Sequence, residues 1–310
     1  MRRIVALACL AAALVGCGDD GEASETARFA EVRRVDVEAA TGLAVVDGER
    51  LIAGELRTGR LLAIDLDDDA NQAREVATVP DVDGSLEQGG LLDVTSLGDG
   101  RLAVAVTGTD GALRIDELDA NSGEVLRTRW EGPEAQERAN GGRMATLADG
   151  RLVVGVGDLL DPALVDDPTA PNGKVLAIAP DGTADVVAEG FNNPFALGTD
   201  GVDLWVADNA PGSRAERLLR IDAGGVEELA SWDDTRVPSG LAVLPGGHLA
   251  ICWFATGELS IVDRAEPGDV RGQVIAEDCR YGVARTPDGL AYAAEDEVVL
   301  LEDLAPPDDD

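Results

Sequence analysis

GGRMATLADGRLVVGV, residues 141–156, is two apolar runs separated by an Asp-Gly pair. Such a pair between apolar runs is a hairpin turn, because both of its residues tolerate the left-handed backbone that a tight two-residue turn demands. The phrase returns as GLAVVDGERLIAGE from Gly42, GLLDVTSLGDGRLAVA from Gly90, FALGTDGVDLWVAD from Phe195, GLAVLPGGHLAICW from Gly240 and GVARTPDGLAYAAE from Gly282. Most copies continue into a third strand, as in GRLLAIDLDD, GKVLAIAPDG and RLLRIDAGG, and successive copies start 42 to 54 residues apart. That period, with several short strands in each unit, belongs to propeller blades of four strands. The expectation is an all-β chain forming a six-bladed β-propeller.

The last copy runs out after EVVLLEDL and has no outermost strand of its own, so RFAEVRRVDVEA, ahead of the first copy, is the natural donor. The ring is then closed by pairing of the N- and C-terminal strands, which removes the edge that an open stack of blades would expose. A helical repeat is excluded, since no segment after the leader sustains a 3.6-residue apolar period.

The chain opens MRRIVALACLAAALVGC, with two arginines and an apolar run from Ile4 to Val15. That run is too short to span a bilayer as a stable helix and reads as a bacterial secretory signal. Its end, Leu-Val-Gly-Cys, resembles the lipobox of bacterial lipoproteins. The resemblance implies a signal peptide over 1–16, a lipidated Cys17, and an anchor on the periplasmic or extracytoplasmic face of a bacterial membrane. An ordinary signal cut after small residues is the alternative. Residues 17–30, polar and acidic, read as a flexible tether, 31–304 as the propeller, and 305–310 as an acidic tail. A formal net charge of -35 would repel nucleic acid and anionic membrane surfaces, so neither is an expected partner except through the lipid.

The copies differ, and VPDVDGSLEQGGLLDV, NGGRMATLADGRLVVGVGD, DDPTAPNGKVLAIAPDGT and AEGFNNPFALGTDGVDLWVADNAPGS follow in that order. In order and spacing they resemble the glucose/sorbosone dehydrogenase family, quinoprotein aldose dehydrogenases with pyrroloquinoline quinone at the mouth of a six-bladed propeller. The resemblance runs from about residue 36 to 303. It implies a catalytic histidine three residues before the Gly142-Arg143 pair, and that place holds Ala139. The chain's one histidine, His248, lies in the turn PGGHLAI and reads as a hairpin residue. Asp158 matches the aspartate that orients the family's histidine; capping of the following turn is the competing role. Gln88 matches a glutamine beside sugar and cofactor, and Asn193 an asparagine contacting the quinone.

The quinone carries three carboxylates, for which the family supplies cations. The matching places hold Asn192, Ala255, Cys279 and Tyr281. Arg280 reaches the site only if its strand slips by one residue, and the single lysine, Lys174, has no expected reach to the channel. The family's calcium draws on backbone oxygens of a Gly-Pro pair that here reads Ala210-Pro211. The loop GDLLDPALVDDP adds Asp158, Asp161, Asp166 and Asp167 as candidate calcium ligands, or as a plain acidic loop. The resemblance also puts Cys252 and Cys279 on neighbouring blades near the mouth. A disulfide between them is expected, with two separate thiols as the alternative.

These departures point to a propeller without the catalytic base and the cofactor cations: a lipid-anchored protein that binds a small polar or sugar ligand or a protein partner. Two alternatives stay open. One is an active quinone-dependent dehydrogenase with an altered site. The other is a calcium-dependent lactonase-like propeller with Glu87, Asn193 and Asp208 around a metal.

Overall fold

The computed structural model describes residues 29–304 except 69, 211–213, 269 and 271. The expected signal peptide 1–16, the lipidated Cys17, most of the tether, Pro211 and the tail 305–310 lie outside the described residues. Within them stand six antiparallel sheets of four strands each. The innermost strands, which line the axis, are Ala40–Val46, Leu91–Gly98, Gly141–Thr146, Asn193–Thr199, Pro238–Val243 and Val283–Thr286. The architecture is the six-bladed propeller expected from the repeats.

Hairpin chemistry shapes each blade. Asp47 and Gly48 carry φ of 57° and 73°, and Asp99 and Gly100 carry 51° and 68°, the paired left-handed residues of a two-residue turn. The sixth blade takes its outer strand from the start of the chain, where Phe29–Asp36 pairs antiparallel with Glu297–Asp303. That strand includes Phe29 and Ala30, which therefore belong to the propeller and not to the tether expected over 17–30. The reason is apolar: Phe29 packs against the cluster containing Val299 and Leu301.

Six apolar clusters hold the ring, one between each pair of neighbouring blades. Where inner strands converge, glycine is required. A Cβ on Gly42 would sit 2.1 Å from the Val94 nitrogen, and one on Gly240 would sit 2.8 Å from the Gly282 Cα. A bulge interrupts pairing near the start of the inner strand in the first five blades, for example between Gly141 and Met144. A bulge leaves residues off the ladder and re-aims their side chains. In the third blade this turns Arg143 into the channel. Among the described residues no helix is long and apolar enough to cross a membrane.

Candidate functional site

The expected site residues gather at the end of the channel where the inner strands begin. Ala139 ends the loop between the second and third blades with φ 58°, and is 8% exposed. Its N–H donates to Gln88 Oε1 at 3.0 Å, while the Gln88 N–H donates to the Glu137 carbonyl at 2.8 Å and the Gln88 carbonyl accepts from Asn140 Nδ2 at 2.9 Å. Gln88 therefore locks the loop that carries Ala139. The left-handed turn at Ala139 brings its carbonyl close to Gly157, where a Cβ would lie 1.9 Å away.

Asp158 is buried and committed. Its Oδ1 accepts from the Leu160 N–H at 3.0 Å and its Oδ2 from Asn192 Nδ2 at 2.6 Å. The first bond holds a turn in which Leu159 and Leu160 both take left-handed φ, 56° and 59°, a costly backbone that the carboxylate stabilises. The second uses the amide of the very residue that stands where the family has an arginine. Asn193 is buried too, its Oδ1 accepting from the Gly141 N–H at 3.0 Å.

Asp208 is fully buried and saturated. Its Oδ1 accepts from the N–H groups of Asn192 and Asn193, each at 2.9 Å, and its Oδ2 pairs with Arg214 at 2.7 Å and Arg217 at 2.9 Å. Glu87 is exposed and faces Arg138 at 3.5 Å. The three residues considered for a lactonase metal thus bond to protein groups, not to a shared point.

The remaining cation places are neutral. Ala255 is exposed, Cys279 is joined to Cys252 in a disulfide, and the Tyr281 hydroxyl donates to Glu295 at 3.0 Å. Burial, then the Glu295 carboxylate, push the Tyr281 phenol up to about 12, so it stays protonated. Arginines near this end are spent on backbone carbonyls. Arg57 donates to Gly84, Leu86, Glu87 and Gly89, and Arg280 to Phe254 at 2.5 Å. His248 starts a strand at the far end of the fifth blade's first hairpin, away from this mouth. A trianionic quinone needs several uncommitted cations, and this donor set does not fit it.

Among the described residues, calcium finds one buried side-chain oxygen here without a donor. Asn209 Oδ1 is a buried acceptor without a donor, next to Ala210, whose carbonyl accepts from the Arg214 N–H at 3.4 Å. The acidic loop is organised otherwise. Asp161 caps a short 3₁₀ turn through the Ala163 N–H at 3.3 Å, and Asp167 binds the N–H and hydroxyl of Thr169, which hold its carboxyl below the ordinary range. A cation is already built into that loop: Lys174, fully buried, donates to the carbonyls of Val165, Asp167 and Asn172 at 2.9 to 3.2 Å.

Sequence reasoning used Arg143 only to set a register, and missed its role. From the third blade it donates to carbonyls of every other blade: Thr41, Leu92 at 3.2 Å, Phe195 at 3.3 Å, Ser239 at 2.6 Å and Tyr281. One side chain therefore closes the axis beneath the mouth. The signal available was a lone arginine in an otherwise apolar inner strand.

The sequence profile of the glucose/sorbosone dehydrogenase family matches residues 37–203, more than half of the chain. The pyrroloquinoline quinone-bound aldose sugar dehydrogenase of Streptomyces coelicolor superposes with a TM-score of 0.78 at 20% identity, covering 89% of this chain and 98% of that one. The soluble aldose sugar dehydrogenase of Escherichia coli, in its apo form, gives 0.70 at 18%, covering 89% and 99%. A luciferin-regenerating enzyme gives 0.62 at 13%, covering 90% and 96%. At these identities the likeness shows the fold, and the last case shows that the fold also carries other chemistry. No curated protein sequence matches the chain.

Proposed function

The chain belongs to the glucose/sorbosone dehydrogenase family, and we propose that in this member sugar oxidation has been lost and the propeller serves as a lipid-anchored binding or interaction module. The observation that carries this reading is the 2.6 Å bond from Asn192 Nδ2 to Asp158 Oδ2, beside an alanine at position 139. The carboxylate that would orient a basic imidazole is occupied, and there is no imidazole to orient. Removing a general base costs about 10² to 10⁴ in rate, and each charge-assisted contact withheld from the quinone costs about 1.5 to 3 kcal/mol.

A lactonase role has less support. It would use Asp208 as a metal ligand, and that carboxylate is already neutralised by Arg214 and Arg217. Gln88, Phe254 and Tyr281, exposed or half-exposed at the mouth, suit a small polar or sugar ligand. The lipobox-like leader supports placement at a bacterial envelope membrane through Cys17.

The test is titration of the domain with pyrroloquinoline quinone and calcium, followed by quinone absorbance and sugar-dependent dye reduction. No saturable quinone binding and no turnover are expected. Dye reduction with glucose above a no-sugar control would refute the proposal, and calcium-dependent hydrolysis of a lactone would favour the lactonase.

A further inference from the structure

Beyond Arg143 the channel opens into a cavity of about 810 Å³ that runs to the hairpin turns on the opposite face. None of Gln88, Ala139, Asp158, Asn192 and Asn193 lines it. Its charged residues are Asp93, Arg143, Asp200, Arg264 and Arg285. Arginines outnumber aspartates there, although the whole chain carries a formal charge of -35.

What matters is which of these groups has bonding capacity left. Asp93 accepts from Arg143 at 3.3 Å and from the Met144 N–H at 2.7 Å. Asp200 accepts from the N–H groups of Val202 and Asp203 at 3.1 and 3.0 Å and faces Arg264 at 3.4 Å. Thr146 and Thr199 hydroxyls donate to the carbonyls of Ser96 and Asp203. Arg143 is spent on carbonyls and Asp93. Arg264 stands over the Trp205 ring, 4.9 Å from its centroid, and among the described residues the long contact to Asp200 is its only ion pair. Arg285 is exposed and, among the described residues, its side chain has no hydrogen bond or ion pair. Both aspartates in the wall are engaged, while among the described residues Arg285 has no polar side-chain partner and Arg264 has only the 3.4 Å contact to Asp200. A site whose spare groups are donors of positive charge selects acceptor-rich anions, and a guanidinium held over an aromatic ring presents a pre-oriented fork to a carboxylate.

We infer that this chamber binds a small organic anion, of the size and charge of a dicarboxylate, gripped by Arg264 and Arg285. The site is separated from the mouth by Arg143 and does not rest on the reading of that mouth. It gives the protein a second, opposite opening with its own ligand chemistry.

Calorimetric titration of the purified protein with sodium succinate at constant ionic strength tests the proposal. One succinate per chain is expected. Arg285→Ala and Arg264→Ala should each weaken binding by about tenfold or more, while Arg138→Ala, at the other end, should leave it unchanged. Among the described residues Arg285 makes no side-chain hydrogen bond or ion pair that holds the fold, so its variant keeps the test interpretable. No saturable succinate binding, or equal binding by wild type and Arg285→Ala, would overturn the assignment.

Discussion

Arg143 places its guanidinium 3.3 Å from the Asp93 carboxylate on the propeller axis, with both side chains withdrawn from water. Burial is the largest influence on Asp93, and despite Arg143 and two backbone N–H donors it raises the carboxyl from 3.8 to about 6. A carboxyl raised on folding binds its proton more tightly in the folded state. Its contribution to stability therefore grows as pH falls from about 6 toward 3.8 and is absent above about 6. Relative to Asp93→Asn, the wild type should gain on the order of 2 to 3 kcal/mol across that window. Urea unfolding of both proteins from pH 7 to pH 4 checks it, and parallel curves would show that Asp93 titrates normally.

Lys174 sets its ammonium among the backbone carbonyls of the acidic loop. Lys174→Met would strand the carbonyls of Val165, Asp167 and Asn172 without a donor, at about 1 to 3 kcal/mol for each that water cannot reach. Amide exchange in residues 158–173 should quicken with little change in the first or fifth blade. Uniform acceleration over the whole ring would mean that Lys174 supports global packing instead.

The Cys252–Cys279 bridge closes a loop with a sequence separation of 27 between adjacent blades. Loop-closure entropy sets its contribution at about 3 to 4 kcal/mol. The Cys252→Ala, Cys279→Ala double variant should unfold at lower denaturant by that amount. Thiol labelling of the unreduced, denatured propeller should find neither cysteine free.

Ala139→His alone is expected to yield no sugar-dependent quinone reduction. The new imidazole would find Asp158 already bonded to Asn192, and the quinone carboxylates would still meet Asn192, Ala255 and Tyr281. Dye-coupled assays with glucose, quinone and calcium decide the matter. Turnover by this single variant would prove that the cation places are assigned wrongly.

Cys17→Ser should leave the leader uncleaved or release the protein from the membrane fraction. Unchanged partitioning, together with an unchanged mature mass, would refute lipidation at Cys17.

Much of the fold was legible because it is written locally. Asp47-Gly48 and Asp99-Gly100 favour the left-handed turn conformation whatever lies around them, and short apolar runs on either side make hairpins. Repetition of that unit, together with the strand missing after Glu297–Asp303, determined the blade number and the closure by Phe29–Asp36. Resemblance to the family, not local propensity, singled out Gln88, Ala139, Asp158, Asn192 and Asn193, and the folded ring gathers them at one end of the channel.

What those residues do was decided only by the assembled ring. Asp158 meets Asn192 across 34 residues, Arg143 reaches Thr41 across 102, and Asp208 shares Arg214 and Arg217 with no sequence pattern to announce it. A carboxylate is free, capping or neutralised according to which donors the other blades bring to it, and burial then multiplies the consequence. Local propensity carries no information about such partners, so the commitment of Asp158 and the spare donors of Arg264 and Arg285 emerge only once the six blades close.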